Sequence, residues 1–198
     1  MAKKKQNSQT MIAWGMLLVS LVTAVILVLH LYTFRESNDT ARLSNQAYVY
    51  FGDPGITPYP YPPNDPTHWG LSINISNNGN LPAHKVDVWF ACPVRDKSEN
   101  ITDPFQLAKW EKGTVGSTIG AKQTIMAQGC GIPIEDINDA KKGEKLIFYV
   151  VRAKYTDGFD DKVLRKTEMS RIFKFDNFGG RSLGIAGPHN CMDDDCPE

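Results

Sequence analysis

No acidic residue precedes Glu36, and only four basic residues do: Lys3, Lys4, Lys5 and Arg35. The whole chain is balanced, with 22 Lys and Arg against 22 Asp and Glu. Setting those four aside leaves 18 basic against 22 acidic residues from Glu36 onward. A mildly acidic body binds polyanions poorly, which excludes nucleic acid as an expected partner. Cysteine is scarce: four in 198 residues, with no C-x-C and no C-x-x-C. The close thiolate pair that a soft-metal chaperone uses is therefore missing. G-x-S-x-G, G-x-x-x-x-G-K-[ST] and internal repeats are also absent. Neither a nucleophile elbow nor a phosphate-cradling loop is expected. The histidines, His30, His68, His84 and His189, are scattered. No catalytic residue, cofactor or small-molecule substrate is expected.

What the chain does have is one long apolar run. Residues 11–33 read MIAWGMLLVSLVTAVILVLHLYT, with no titratable side chain before His30. As a helix this stretch spans about 33 Å, enough for a hydrocarbon core of about 30 Å. Trp14 and Tyr32 sit near its ends, where aromatic rings prefer the interface. A cleaved signal peptide has a shorter apolar region and a small-residue cleavage site; LYTFRESNDTARLS offers no such site. The expectation is a single transmembrane helix over 11–33 that contacts the lipid bilayer. The basic tail 1–10 is then cytoplasmic by the positive-inside rule. Residues 34–45 are a linker or a helix extension. In a bacterial inner membrane the rest is periplasmic, in a space that favours disulfides.

Proline is concentrated in one place. Six of the twelve lie in DPGITPYPYPPNDPTHW (53–69), which excludes a regular helix or a central strand and predicts an extended surface loop. Around it the pattern is that of strands. Leu71, Ile73 and Ile75 alternate with Ser72, Asn74 and Ser76. Asn77-Asn78-Gly79-Asn80 is a turn signal, since Asn and Gly tolerate positive φ. Val86, Val88, Phe90 and Cys92 share one parity, and Lys85, Asp87 and Trp89 the other. Asp103, Pro104 and Gly113 punctuate a short helix over 103–113, and Pro133 and Gly143 a second over 132–145. KLIFYVV (145–151) is apolar at both parities, as in a strand buried on both faces. In 163–176, Thr167, Met169, Phe173 and Phe175 are opposed by Lys166, Glu168, Ser170 and Lys174. About seven short strands and one or two short helices predict a mainly β, immunoglobulin-like β-sandwich over 46–176, with 177–198 a cysteine-containing tail packed on or beside it.

Three stretches carry a likeness: NNGNLPAHKV (77–86), IEDINDAKKGEKLIFYVVRAKYTDGFD (134–160) and His189-Asn190. Together they resemble a loose group of uncharacterised bacterial single-pass membrane proteins with an N-terminal anchor and a small β-rich outer domain. These motifs mark turns and strand ends, and no activity comes with them. The resemblance implies a cysteine three residues after Thr167 and another three before His189. Here those places are Ser170 and Ala186. It follows that Cys191 and Cys196 supply a different tether.

The four cysteines allow three connectivities. Cys92–Cys130 with Cys191–Cys196 is the favoured pairing, and cross-pairing of the tail cysteines to the body stays open. The tail, GPHNCMDDDCPE, also gathers metal-binding side chains: His189, Cys191, Met192 and Cys196. In an oxidising space its thiols become a disulfide and its three aspartates a solvated acidic loop. The leading expectation is therefore a non-catalytic interaction module for an unidentified membrane or periplasmic protein. Tyr59, Tyr61 and Trp69, on or beside the proline loop, are its candidate contacts. The alternative is a periplasmic metal-handling accessory protein that uses the tail cluster.

Overall fold

Residues 1–45 contain no proline and one glycine, so nothing interrupts a helix there. The computed structural model, which describes residues 2–53, 55–60, 67–113, 118–158, 162–175 and 181–196, has one continuous helix over this stretch, α1 (Ala2–Asn45). It takes in both the basic tail and the polar residues 34–45. Its Trp14–Ala41 portion, 28 residues, is long and apolar enough to cross a membrane, and none of its apolar window is buried by protein. Thr23, His30, Thr33 and Thr40 each bond a helix carbonyl four residues earlier, which keeps their polar atoms satisfied within the helix. The chain divides into two units, Met1–Ser44 and Asn45–Glu198.

The second unit is mainly β. Its strands are β1 (Val49–Phe51), β2 (Gly55–Pro60), β3 (His68–Asn77), β4 (Ala83–Ala91), β5 (Val94–Asp96), β6 (Glu111–Gly113), β7 (Thr118–Ile119), β8 (Thr124–Pro133), β9 (Lys145–Asp157), β10 (Leu164–Phe175), β11 (Arg181–Ile185) and β12 (Cys191–Met192); α2 (Ile134–Lys142) joins β8 to β9. All described pairings are antiparallel. In the smaller sheet β3 is central, with β8 along one edge and β1 then β2 along the other. In the larger sheet β9 is central, between β10 and the β4–β5 segment. β11 and β12 line the outer edge of β10, and β6 and β7 that of β4.

The two sheets pack in a sandwich-like arrangement. Leu71, Ile73 and Ile75 of β3 share the core with Val88 of β4 and Tyr149 and Val151 of β9, all at most 1% exposed. Burying each aliphatic side chain of this kind contributes about 2 kcal/mol. Cys92, just past the end of β4, is bonded to Cys130 of β8, so this disulfide joins one sheet to the other. The pair is 38 positions apart, a loop length for which a disulfide stabilises by about 3–4 kcal/mol.

Several local expectations are revised. Part of the proline segment is a strand: among the described residues β2 pairs with β3 alone, at an edge where a missing N–H costs little. Pro54 and residues 61–66 lie outside the described residues. The helix over 103–113 is one 3-10 turn, Pro104–Leu107, with Asp103 accepting from the Phe105 amide at 2.9 Å. The chain then extends, so Gly113 ends β6 and stops no helix. By contrast α2 keeps its punctuation, from Pro133 at the N-cap to Gly143 in the left-handed region at φ 78°. In β4, Lys85 at φ 50° marks a bulge, which turns both Ala83 and Val86 inward. None of Asn77, Asn78, Gly79 or Asn80 has a positive φ. Gly79 is needed for space: a Cβ there would lie 2.2 Å from the Gln46 carbonyl and 2.6 Å from the Tyr48 amide. Asn77 is fully buried and acts through its side chain. Its Oδ1 accepts from the Tyr48 and Gly79 amides, and its Nδ2 donates to the carbonyls of Leu81, Ile119 and Gly120.

Candidate functional site

Strand alternation places Glu168 and Ser170 on the outer face of β10, where solvent would be expected. Both are buried, Glu168 at 2% exposure and Ser170 at 0%. The cover comes from two segments distant in sequence. One is the 3-10 turn, whose Phe105 packs with Ala91, Val150 and Trp110 as a small second cluster. The other is the C-terminal segment, which the structure builds into the sheet: β12 sets Cys191 opposite Glu168 and Met192 opposite Thr167.

The result is a polar row across the large sheet, from Cys191 through Glu168 and Arg152 to Trp89. Glu168 is its centre. Arg152 Nε donates to Oε1 at 2.6 Å, and Lys166 Nζ lies 3.7 Å from the same oxygen. His189 Nδ1 is 2.5 Å from Oε2, and Cys191 Sγ is 3.8 Å from it. Cys191 is bonded to Cys196, with Cα atoms 4.9 Å apart, so this sulfur contact involves no donated proton. The far nitrogen of His189, Nε2, faces Asp103 Oδ2 at 3.4 Å. Its ring stacks on Phe105 at 3.9 Å and 14°. Arg152 lies over the Phe105 and Trp110 rings at 5.6 and 5.2 Å. A carboxylate with no exposed side-chain surface thus has charged or polar neighbours at both oxygens, as a buried charge must.

A surface cavity of about 490 Å³ reaches this row and is lined by Tyr50, Glu168, Arg171, Asn190, Cys191 and Met192, among others. Glu168 and both sulfurs of the tail disulfide also converge: one carboxylate oxygen, Cys191 Sγ and Cys196 Sγ lie within 4.8 Å of one another. The tail cluster read from sequence is therefore only partly assembled. Met192 follows Cys191 in a strand and pairs with Thr167, so it takes the opposite face from Glu168. Both ring nitrogens of His189 already face carboxylates.

Of the three tail aspartates read as a solvated loop, Asp193 is tied to the β unit, while Asp195 is exposed. Asp193 Oδ2 is 2.8 Å from Arg165 Nη1, and Oδ1 accepts from the Lys166 amide at 3.1 Å. Arg165 also binds Asp157 at 2.7 Å and donates to Gln46 Oε1. Burial works against its charge, but the hydrogen bonds to Asp157 and Asp193 outweigh it and hold the guanidinium above its ordinary pKa.

Among the proposed contact aromatics, β2 brings the chain next to Tyr59 alongside β3, with Pro60 opposite Trp69. Tyr59 lies in edge strand β2, and Tyr61 falls outside the described residues. Trp69 is half-buried against the main core, with Lys141 Nζ 5.1 Å from its ring centroid. His84 and His68 are local: the first is 3.4 Å from the Thr118 hydroxyl, the second 2.9 Å from the Thr67 hydroxyl. Ser170 and Ala186 meet beside the β10–β11 pair, where the Ala186 amide donates to the Ser170 carbonyl at 3.3 Å.

Sequence reading gave Glu168 and Arg152 no role, and Asp103 only that of a cap. Each occupies a position that looks solvent-facing in its own segment, and only the covering segments bring it to this site. No family model, curated protein or solved structure matches this chain.

Proposed function

We propose that the chain is a membrane-anchored interaction module that performs no bond chemistry. Its N-terminus is cytoplasmic, and its immunoglobulin-like sandwich stands in the periplasm of a bacterial inner membrane. The observation that carries this reading is α1: a 28-residue apolar portion, unburied by protein, ahead of a folded β unit. Two further features support it. All four cysteines are paired, which suits an oxidising space. A disulfide between sheets is also a recurrent feature of immunoglobulin-like domains. The contact region is the β2 edge with Tyr59, Tyr61 and the neighbouring Trp69. Edge strands offer unpaired backbone groups to a partner, and aromatic side chains dominate interface energies.

Two measurements test this. Carbonate-washed membranes should retain the uncleaved chain, and protease added from the periplasmic side should reach residues 45–198. Release into the soluble fraction, or protection of those residues, overturns the topology. Replacing Tyr59 and Tyr61 by Ala should reduce partner recovery in membrane crosslinking, and undiminished recovery removes the β2 edge from the account.

A further inference from the structure

The tail disulfide closes a short loop, five positions apart, and one of its sulfurs touches a buried carboxylate. We propose that reduction of Cys191–Cys196 creates a metal site in which Cys191, Cys196 and Glu168 bind a divalent cation of borderline softness, with zinc the best fit. This inference is independent of the anchor and the partner, so it can fail while the interaction module stands.

The geometry carries it. The three ligand atoms already lie within 4.8 Å of one another, and all three residues are buried or half-buried. Zinc takes thiolates at about 2.3 Å and carboxylate oxygens at about 2.1 Å. Three ligands ringing one point at those radii stand about 3–4 Å apart, so opening the S–S bond needs only a small spread of the sulfurs. The mixed donor set selects the ion. Two thiolates disfavour magnesium and calcium, and a carboxylate is a poor partner for Cu(I). His189 takes the supporting place: its Nδ1 at 2.5 Å from Glu168 holds the carboxylate, as outer groups commonly hold metal-ligating side chains. The fourth position faces the 490 Å³ cavity that Glu168 and Cys191 line, leaving room for water or a ligand.

The chemistry balances. A dithiol reductant gives two electrons and two protons to the S–S bond and becomes a disulfide, leaving two thiols on the protein. Zinc then displaces those two protons to solvent as the thiolates form. The ion's two positive charges match the two new negative ones, so the existing balance among Glu168, Arg152 and Lys166 is undisturbed.

The test uses the full chain in detergent, titrated with a dithiol. Thiol labelling with mass spectrometry reports which pair has opened. The tail pair should open before Cys92–Cys130, with the near-ultraviolet circular dichroism retained. At that point the chain should take up one zinc, or one cobalt with a thiolate-to-metal charge-transfer band. The oxidised chain should bind neither. The Cys191→Ser/Cys196→Ser variant should lose both uptake and band. Glu168→Gln should keep the band and lose affinity by more than tenfold, and His189→Gln should lose roughly 10–100-fold. Any of three results overturns the proposal: Cys92–Cys130 opens first, the opened tail binds no zinc, or the double serine variant binds as well as the parent.

Discussion

The two faces of β10 are built on different principles. Its inward face places Met169 and Phe173 against a core shared with β3, β4 and β9. Its outward face places Glu168 and Ser170 under a cover made by residues 103–110 and 186–196. Burial of the first follows from the alternation of the strand itself. Burial of the second depends on chain segments that arrive from elsewhere. The inward face is held by apolar area, the outward face by a connected polar row, so they should fail differently when cut.

The largest effect should come from the inward face. Phe173→Ala removes a buried ring and should cost about 3–5 kcal/mol, read as a lower urea midpoint at unchanged slope. On the same strand Glu168→Ala should cost less, about 1–3 kcal/mol, because the Arg152 side chain is 32% exposed and regains water. Its signature should be local: faster amide exchange in 187–196 while the core strands keep their protection. A global loss of protection would mean that the outward face is part of the core.

Two buried tyrosines on the inward face of β9 refine the comparison. Tyr155 OH accepts from the Val49 amide at 3.3 Å, whereas Tyr149 OH has no hydrogen-bond partner among the described residues. Tyr155→Phe should cost about 1 kcal/mol, and Tyr149→Phe should be within about 0.5 kcal/mol of neutral. Equal costs would show that the Tyr149 hydroxyl is bonded. Alkali separates them further. Burial pushes the Tyr149 phenol well above its ordinary value of 10.0. A group raised in the folded state stabilises fully below its unfolded pKa, and that contribution is lost as pH climbs above it. Stability should therefore fall above about pH 10, and Tyr149→Phe should make that fall shallower.

What was legible in the sequence follows the same division. The β3 and β4 alternation, the two-sided burial of β9 and the Pro133-to-Gly143 limits of α2 depend on neighbours in the chain, and all were readable. The burial of Glu168 was not, because a lone carboxylate in an alternating strand looks the same whether it meets water or His189. Met192 was grouped with Cys191 by proximity in sequence; once 191–192 is a strand, adjacency is what separates them. Asn77 and Gly79 were read as a turn and do form one. Their stronger constraint is an encounter with residues 46–48, about thirty positions upstream, which no local pattern records.

That encounter decides where the β unit can be cut free for solution work. Val49 is its first strand residue, but the fold already grips the chain before it: Arg165 holds the Gln46 side chain, Asn77 holds the Tyr48 amide, and Gly79 lies flat against the backbone between them. A fragment begun at Val49 would leave Asn77 Oδ1 and Arg165 short of a partner and uncover the turn. One begun at Asn45 keeps the whole clasp, so the true start of the folded unit lies at the last residue of a helix.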